Sequence, residues 1–312
     1  MKFYLGVTDN SWYNYLSNIN PEDVNFWQPG GNVNFKSLQP GAPFFFKLKY
    51  PLDVIGGVGF FSSHTFLPIS VAWETFGDRN GCANYDEFKR KILNYRINKT
   101  DFNPQIGCIV LTNPIFFKQE DWIKTPENWS KSIVQGKAYT TEEEIGRRIW
   151  DQAELLLEKY LVDEDQTVEN EFSLRDPLVG YRTSILSRIR IGQGAFKVLI
   201  TDAYQRKCSI TGEKTLPVLE SAHIQSYAQL GPHLISNGIL LRSDIHKLFD
   251  AGYLTITTDL KVEVSSRIKE EFLNGREYYQ YHGKGLVTIP LKEIDRPNKK
   301  YIEWHNSNKF IG

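Results

Sequence analysis

Residues 219–250, LESAHIQSYAQLGPHLISNGILLRSDIHKLFD, carry the pattern that most limits how this chain can fold. His223, Asn237 and His246 punctuate the stretch, fourteen and nine positions apart. Leu216 to Ile224 has β-leaning apolar positions, and Gln225 to Ser236 is a loop broken by Gly, Pro and Ser. Ile239, Leu240 and Leu241 make a short apolar run. Ser243 reads as a helix N-cap with Asp244 in the first turn, and Ile245, Leu248 and Phe249 follow at helical spacing. The expected order is strand, loop, strand, helix.

That order and spacing resemble the HNH motif of ββα-metal nucleases. Phosphodiester cleavage needs an activated water and a cation on the scissile phosphate. A neutral imidazole can take the proton of water near physiological pH. The resemblance implies that His223 is this base. It implies that Asn237 holds the loop and orients His223 through amide hydrogen bonds, and that His246 binds a metal from the helix. Asp250 lies four residues after His246, so both side chains share one helix face and can chelate one divalent ion. The expected ion is Mg²⁺ or Mn²⁺, with Zn²⁺ and Ni²⁺ as alternatives. Many relatives place a metal ligand just before the first motif His. Here that position is Ala222, which cannot ligate. The resemblance implies Asp250 as the first choice of carboxylate, because some bacterial colicin nucleases of this type put a second ligand one turn after the last motif His, with Glu220 and Asp244 in reserve. Asp244 stands two residues from His246, so a regular helix points it away. His233, in the Gly-Pro loop, reads as a loop residue. A block CSITGE…LESAHI…NGILLRSDIHKLFD, with its match running from about 190 to 265, is similar to predicted restriction endonucleases of this type.

The formal net charge of zero looks wrong for a nuclease until the chain is divided. Residues 186–312 carry 18 basic and 13 acidic residues, whereas residues 151–185 carry 3 and 9. The basic excess therefore falls on the part with the motif, where phosphate binding needs it. Arg188, Arg190, Lys197 and Arg242 are the candidate DNA contacts, and the helix expected to start near Ala195 offers an N-terminus to a phosphate.

The first half reads as a β-rich domain. Phe3 to Thr8 is a strand, and Asp9 caps a helix through Leu16. Residues 24–36 read as a Gly/Pro-broken loop. Pro43 to Leu48 and Val54 to Phe61 are strands, Ile69 to Phe76 and Tyr85 to Tyr95 are helices, and Ile106 to Leu111 is a strand. Trp122, Trp129 and Tyr139 fall in polar loops. The segments FYLGVTDNSW, LQPGAPFFFKL, DVIGGVGFF and VAWETFG are similar in order to the PUA superfamily and its EVE members. The resemblance covers about the first 140 residues. It implies a small curved β-barrel with helices outside, of a kind that holds a modified base between aromatic rings. An extruded base needs flat π faces and a few polar groups for its edge. Trp27, Phe35 and Trp73 are candidate faces, and Asp9, Asn10 and Gln28 candidate polar contacts. The expected pocket is Trp27, Phe35, Asp9 and Gln28, with Trp27 its best member because the Gln28-Pro29-Gly30-Gly31 turn beside it places a large ring poorly for a core.

The expectation is thus an α+β chain: a PUA/EVE-like reader at 1–160, an acidic linker at 161–185 and an HNH nuclease domain at 186–312. Its partners would be double-stranded DNA, carrying modified bases, and a second copy of the chain. Two other functions fit the same residues: a nuclease activated by a small ligand or RNA, and a nucleic-acid-binding module with a decayed site, which Ala222 alone favours. Cys82, Cys108 and Cys208 are isolated, which argues against a Cys-rich zinc site or a disulfide framework. No apolar run approaches a membrane span and the N-terminus has no signal-peptide layout, so a reducing cytoplasm is expected.

Overall fold

The computed structural model describes residues 1–96, 101–165, 192–226, 229 and 231–312. The chain divides into two compact units, Met1–Ala195 and Phe196–Gly312. No helix among the described residues is long and apolar enough to cross a membrane.

Unit one contains β1 (Lys2–Thr8), α1 (Asn10–Ile19), β2 (Asp23–Gln28), β3 (Pro43–Leu48), β4 (Val54–Pro68), α2 (Ile69–Phe76), α3 (Tyr85–Asn94), β5 (Gln105–Phe116), β6 (Ile123–Lys124), β7 (Gly136–Thr140) and α4 (Glu144–Asp165). The strands form one seven-stranded sheet in the order β2-β5-β4-β3-β1-β7, with β6 on β4. Only β1 and β3 run parallel among these pairs. Register shifts at Val58/Phe60 and Phe61/Ser63 mark irregularities in the long β4, the devices that bend a strand.

The run PFFFKL explains why both faces of the sheet are covered. Alternation sends Phe45 to one side and Phe44 and Phe46 to the other. Phe45 joins Phe3, Leu5, Ile55 and Val58 under Ile149, Ala153 and Leu157 of α4. Phe44 and Phe46 join Val24 and Leu111 under Trp12, Tyr13 and Leu16 of α1. The Asp9 carboxylate starts α1 by accepting from the Ser11 and Trp12 amides at 3.0 and 3.3 Å. Asn84 does the same for α3 through the Glu87 amide at 3.0 Å.

Three expectations need correction. The loop expected at 24–36 begins as strand β2, which lies antiparallel to β5 with Trp27 opposite Cys108. Two of its polar residues are paired across the fold: the buried Asp23 pairs with Arg79 at 2.7 Å, and the Asn25 side-chain nitrogen donates to Asn80 at 2.8 Å. Tyr139 is in β7, opposite Phe3 and stacked on it at 5.9 Å, because its hydroxyl finds Asn128 at 2.8 Å. The run Asp163-Glu164-Asp165 closes helix α4, and residues 166–185 of the expected linker lie outside the described residues.

Helix α5 (Gln193–Ala203) spans the division between the units. Unit two continues with β8 (Leu219–His223), β9 (Gly238–Arg242), α6 (Ser243–Asp250), β10 (Leu254–Ile256), β11 (Val262–Val264), α7 (Arg267–Phe272), α8 (Arg276–Tyr279) and α9 (Lys299–Asn308). The expected strand-loop-strand-helix is β8, β9 and α6, with His223 opposite Gly238 and Leu219 opposite Arg242. Ser243 is the first helical residue rather than the cap, and no side chain caps α6. Gly238 has extended backbone, so Asn237-Gly238 is no hairpin turn. Its lack of a side chain admits α5: a Cβ there would stand 2.2 Å from Ile200.

Gly81 supports the first core tightly. Its φ is +75° and an added Cβ would lie 2.1 Å from the Trp12 ring, which is 3% exposed. Gly81→Ala is therefore expected to cost about 2 kcal/mol or more of unfolding free energy, from strain and displaced packing together. Urea unfolding measures it, and an unchanged midpoint would contradict the close approach.

Candidate active site

The motif residues lie around the β8–β9 pair, His223 and Asn237 at the end joined by the connecting loop and His246 on α6, which follows β9. His223 ends β8, and its imidazole stacks on Phe196 of α5 with centroids 3.9 Å apart and planes 9° from parallel. Its Nε2 meets Nδ1 of His233 at 2.9 Å. Burial, then the closeness of His233, push the His223 pKa down to about 4, with His246 adding and Asp250 opposing. His223 is therefore neutral at pH 7 and holds a lone pair for a proton.

Asn237 is fully buried and its carboxamide is fully used. Oδ1 accepts from the Gln225 amide at 2.9 Å, while Nδ2 donates to the carbonyls of Gln225 at 3.0 Å and Pro232 at 2.9 Å. The backbone carbonyl of Asn237 accepts from Ile224 at 2.9 Å. The amide thus clamps the loop that leaves His223, and makes no hydrogen bond to the imidazole itself. The ring is oriented instead by Phe196 and His233, neither of which the spacing of the motif identified.

His246 projects from α6 between two carboxylates. Its Nδ1 meets Glu220 Oε2 of β8 at 2.5 Å, and its Nε2 faces Asp250 Oδ2 at 3.2 Å. Burial lowers its pKa, but the hydrogen bonds and charges of Asp250 and Glu220 outweigh this and raise it overall. The two histidines are thus driven in opposite directions.

The donor set fits a divalent ion. Two ligands held at about 2.0–2.2 Å from one cation stand roughly 3 Å apart, close to the Nε2–Oδ2 separation of His246 and Asp250. A metal-bound imidazole commonly donates its other N–H to a carboxylate, which is the place Glu220 takes on Nδ1. Among the described residues no group of three or more His, Cys, Asp and Glu side chains is arranged to hold a metal, so the ligands this geometry could offer are the pair alone. Asp244 is tied to Arg242 by two bonds of 2.7 and 2.8 Å, which hold its carboxyl below the ordinary range and keep it off the site. The same fork engages the Arg242 guanidinium, expected at DNA.

The remaining expected contacts separate. Lys197 lies on α5, its carbonyl accepting from Ser221 at 3.1 Å. The start of α5 is occupied: the Asp23 carboxylate accepts from the Ala195 amide at 3.0 Å and leaves no room for a phosphate there. Arg188 and Arg190 lie outside the described residues.

In unit one, Asp9, Trp27 and Gln28 line one cavity of about 330 Å³, with Phe26, Lys49 and Tyr95. The Trp27 indole donates to the Asn80 carbonyl at 3.0 Å and packs near Tyr95 at 6.2 Å. Burial raises the Asp9 pKa, but Ser11, Lys49 and the backbone amides of Trp12 and Ser11 lower it overall, so the carboxylate is charged. Phe35 is not at this cavity. It packs on Tyr4, Phe44 and Phe61, because that apolar surface needs a cover. Trp73 packs on Phe88 and Tyr85, and Asn10 bonds the backbone of Lys49.

Residues 208–257 match the family described as HNH endonuclease, and this part of the chain is an HNH endonuclease domain. No curated protein matches the chain. Among solved structures, the chain is similar to ASCH from Zymomonas mobilis, with 8% identity over 48% of this chain and 94% of that one and a TM-score of 0.34. A point mutant of that protein gives 9% identity, 48% and 98% coverage and a TM-score of 0.33. The modification-dependent restriction endonuclease TagI gives 14% identity, 93% and 76% coverage and a TM-score of 0.28.

The geometry ranks the carboxylates. Asp250→Ala is expected to weaken Mn²⁺ binding more than Asp244→Ala does, and Glu220→Gln to weaken it by about 10- to 100-fold through the lost support of His246. Isothermal titration of Mn²⁺ into each variant checks this. Stronger weakening by Asp244→Ala would move the ligand there.

Proposed function

We propose that this chain is a metal-dependent DNA endonuclease of the restriction type, brought to modified DNA by its first unit. The observation that carries the nuclease part is the division of labour between a neutral His223 and the His246–Asp250 pair. His246 and Asp250 would hold the divalent ion, which would supply positive charge at the scissile phosphate. His223 takes a proton from a water molecule, and the oxygen of that water attacks phosphorus as the bond to the leaving oxygen breaks. A base near pKa 4 is weak in the free protein, but the negative charge of a bound phosphate raises it toward the working range. Arg188, Arg190 and Lys197 supply phosphate contacts that add affinity without reading sequence.

The cavity in unit one supports the reader. It has aromatic walls in Trp27, Phe26 and Tyr95 for stacking, and Asp9 and Gln28 for a base edge. Its volume of about 330 Å³ suits one base with a small substituent. One nuclease site holds one scissile phosphate, so a double-strand break calls for two copies, most simply a C2 dimer.

Two outcomes test these parts separately. His223→Ala is expected to abolish cleavage of plasmid DNA, a loss of about 10²-fold or more, while leaving DNA affinity unchanged. A chelator should abolish wild-type cleavage and added Mn²⁺ restore it. Near wild-type cutting by the variant would remove the base assignment. Trp27→Ala is expected to weaken binding by about 1–3 kcal/mol on duplexes carrying modified cytosine, with little loss on unmodified duplexes. Fluorescence anisotropy with both duplexes decides it: equal losses would make Trp27 a general DNA contact, and no loss would take it out of the reader.

A further inference from the structure

His233 is ten residues beyond the motif base and is not one of the three residues that define the motif. The fold nevertheless brings its Nδ1 to 2.9 Å from His223 Nε2. The loop that carries it is fixed one residue away, where the Asn237 amide donates to the Pro232 carbonyl at 2.9 Å. Phe196 packs on both rings, flat on His223 at 3.9 Å and tilted on His233 at 5.4 Å. The two imidazoles cross at 62° with centroids 4.9 Å apart, so they meet edge to edge through nitrogen rather than by stacking.

A nitrogen-to-nitrogen contact of this length needs one proton between the two atoms, donated by one ring and accepted by the other. If His233 donates, His223 must carry its own proton on Nδ1, and both its nitrogens are spent. If His223 donates from Nε2, its Nδ1 is bare, and no protein hydrogen bond to that atom is found among the described residues. Only the second arrangement leaves the base a lone pair.

We propose that His233 is the positioning residue of the nuclease site: its Nδ1 accepts the Nε2 proton of His223 and so presents His223 Nδ1 to the attacking water. This rests on His223 being the base. When the water O–H bond breaks, its proton forms the new N–H bond at Nδ1, and His223 becomes an imidazolium. Its Nε2–H bond to His233 then becomes charge-assisted and shorter-ranged in effect, which stabilises the charge as it develops. The arrangement has the logic of a base oriented by a third group, with an imidazole where a carboxylate or carbonyl often stands. A neutral partner lets His223 keep its lone pair, whereas an ionised carboxylate there would raise its proton affinity in the free protein.

The test combines kinetics and spectroscopy on the full chain. Cleavage of plasmid DNA carrying methylated cytosine, with Mn²⁺, is measured for wild type, His233→Ala, His233→Asn and His223→Ala. His233→Ala is expected to lower kcat by roughly 10- to 100-fold, part of the contribution of a general base, with KM changed less than about twofold. Asn places a carbonyl oxygen near the position of Nδ1, so His233→Asn is expected to recover kcat to within about threefold of wild type. In metal-free protein with ¹⁵N-labelled histidine, long-range ¹H–¹⁵N correlation is expected to show His223 protonated at Nε2 and bare at Nδ1. A wild-type kcat in His233→Ala, or equal losses in the Ala and Asn variants, would reduce His233 to a loop residue. A His223 protonated at Nδ1 would overturn the proposal without any cleavage assay. Cleavage surviving in His223→Ala would instead remove the base assignment on which it stands.

Discussion

The site depends on one buried carboxamide. Asn237 has no exposed surface, and its side chain holds three backbone groups of the loop that joins His223 to the second strand. Each of those part-buried groups would lose its protein partner if the amide were removed, at up to about 1–3 kcal/mol apiece. A hydrophobic contact could not do the same work, because apolar packing has no direction and the loop must leave β8 at one angle. The clamp sets where Pro232 lies, and Pro232 sets where His233 begins. The chemistry proposed for His223 therefore rests on a residue whose amide makes no hydrogen bond to its ring.

The second organising feature is the opposition of two histidines. His223 is pushed toward the neutral form by burial and by the neighbouring His233, while His246 is held toward the charged form by two carboxylates. Environments that drive a pair of titratable groups apart assign them different jobs. A neutral ring accepts a proton, and a ring facing carboxylates is placed where a cation also belongs. The strand pairing makes this separation: Glu220 and His223 are three residues apart on β8, so they leave the strand on opposite faces.

Much of this was legible in the sequence, and the parts that were not share a cause. The elements of the motif could be read because strand alternation and helical spacing are local, and because α6 must follow β9 within a residue. The pairing of Asp250 with His246 follows from helix periodicity alone. Glu220 could be named only as a reserve ligand, since its approach to His246 Nδ1 depends on how α6 folds back over β8. The start of α5 looked open to a phosphate, but its amide is met by Asp23, 172 residues earlier. Phe35 and Trp27 are both aromatic residues within four positions of the Gly30-Gly31 pair, and nothing local separates one that lines a cavity from one that covers Phe44 and Phe61. Strand β2 was hidden by its polar residues, which read as loop until Arg79 and Asn80 pair with them.

A single diffraction experiment reaches the proposed metal centre most directly: crystals of the full chain grown with Mn²⁺, with data collected where manganese scatters anomalously. The expected result is one anomalous peak bound by His246 Nε2 and an Asp250 carboxylate oxygen, with Glu220 still on Nδ1 and His223 unligated. A peak on Asp244, or an ion bound by His223, would contradict the division between base and metal ligand on which the site has been built.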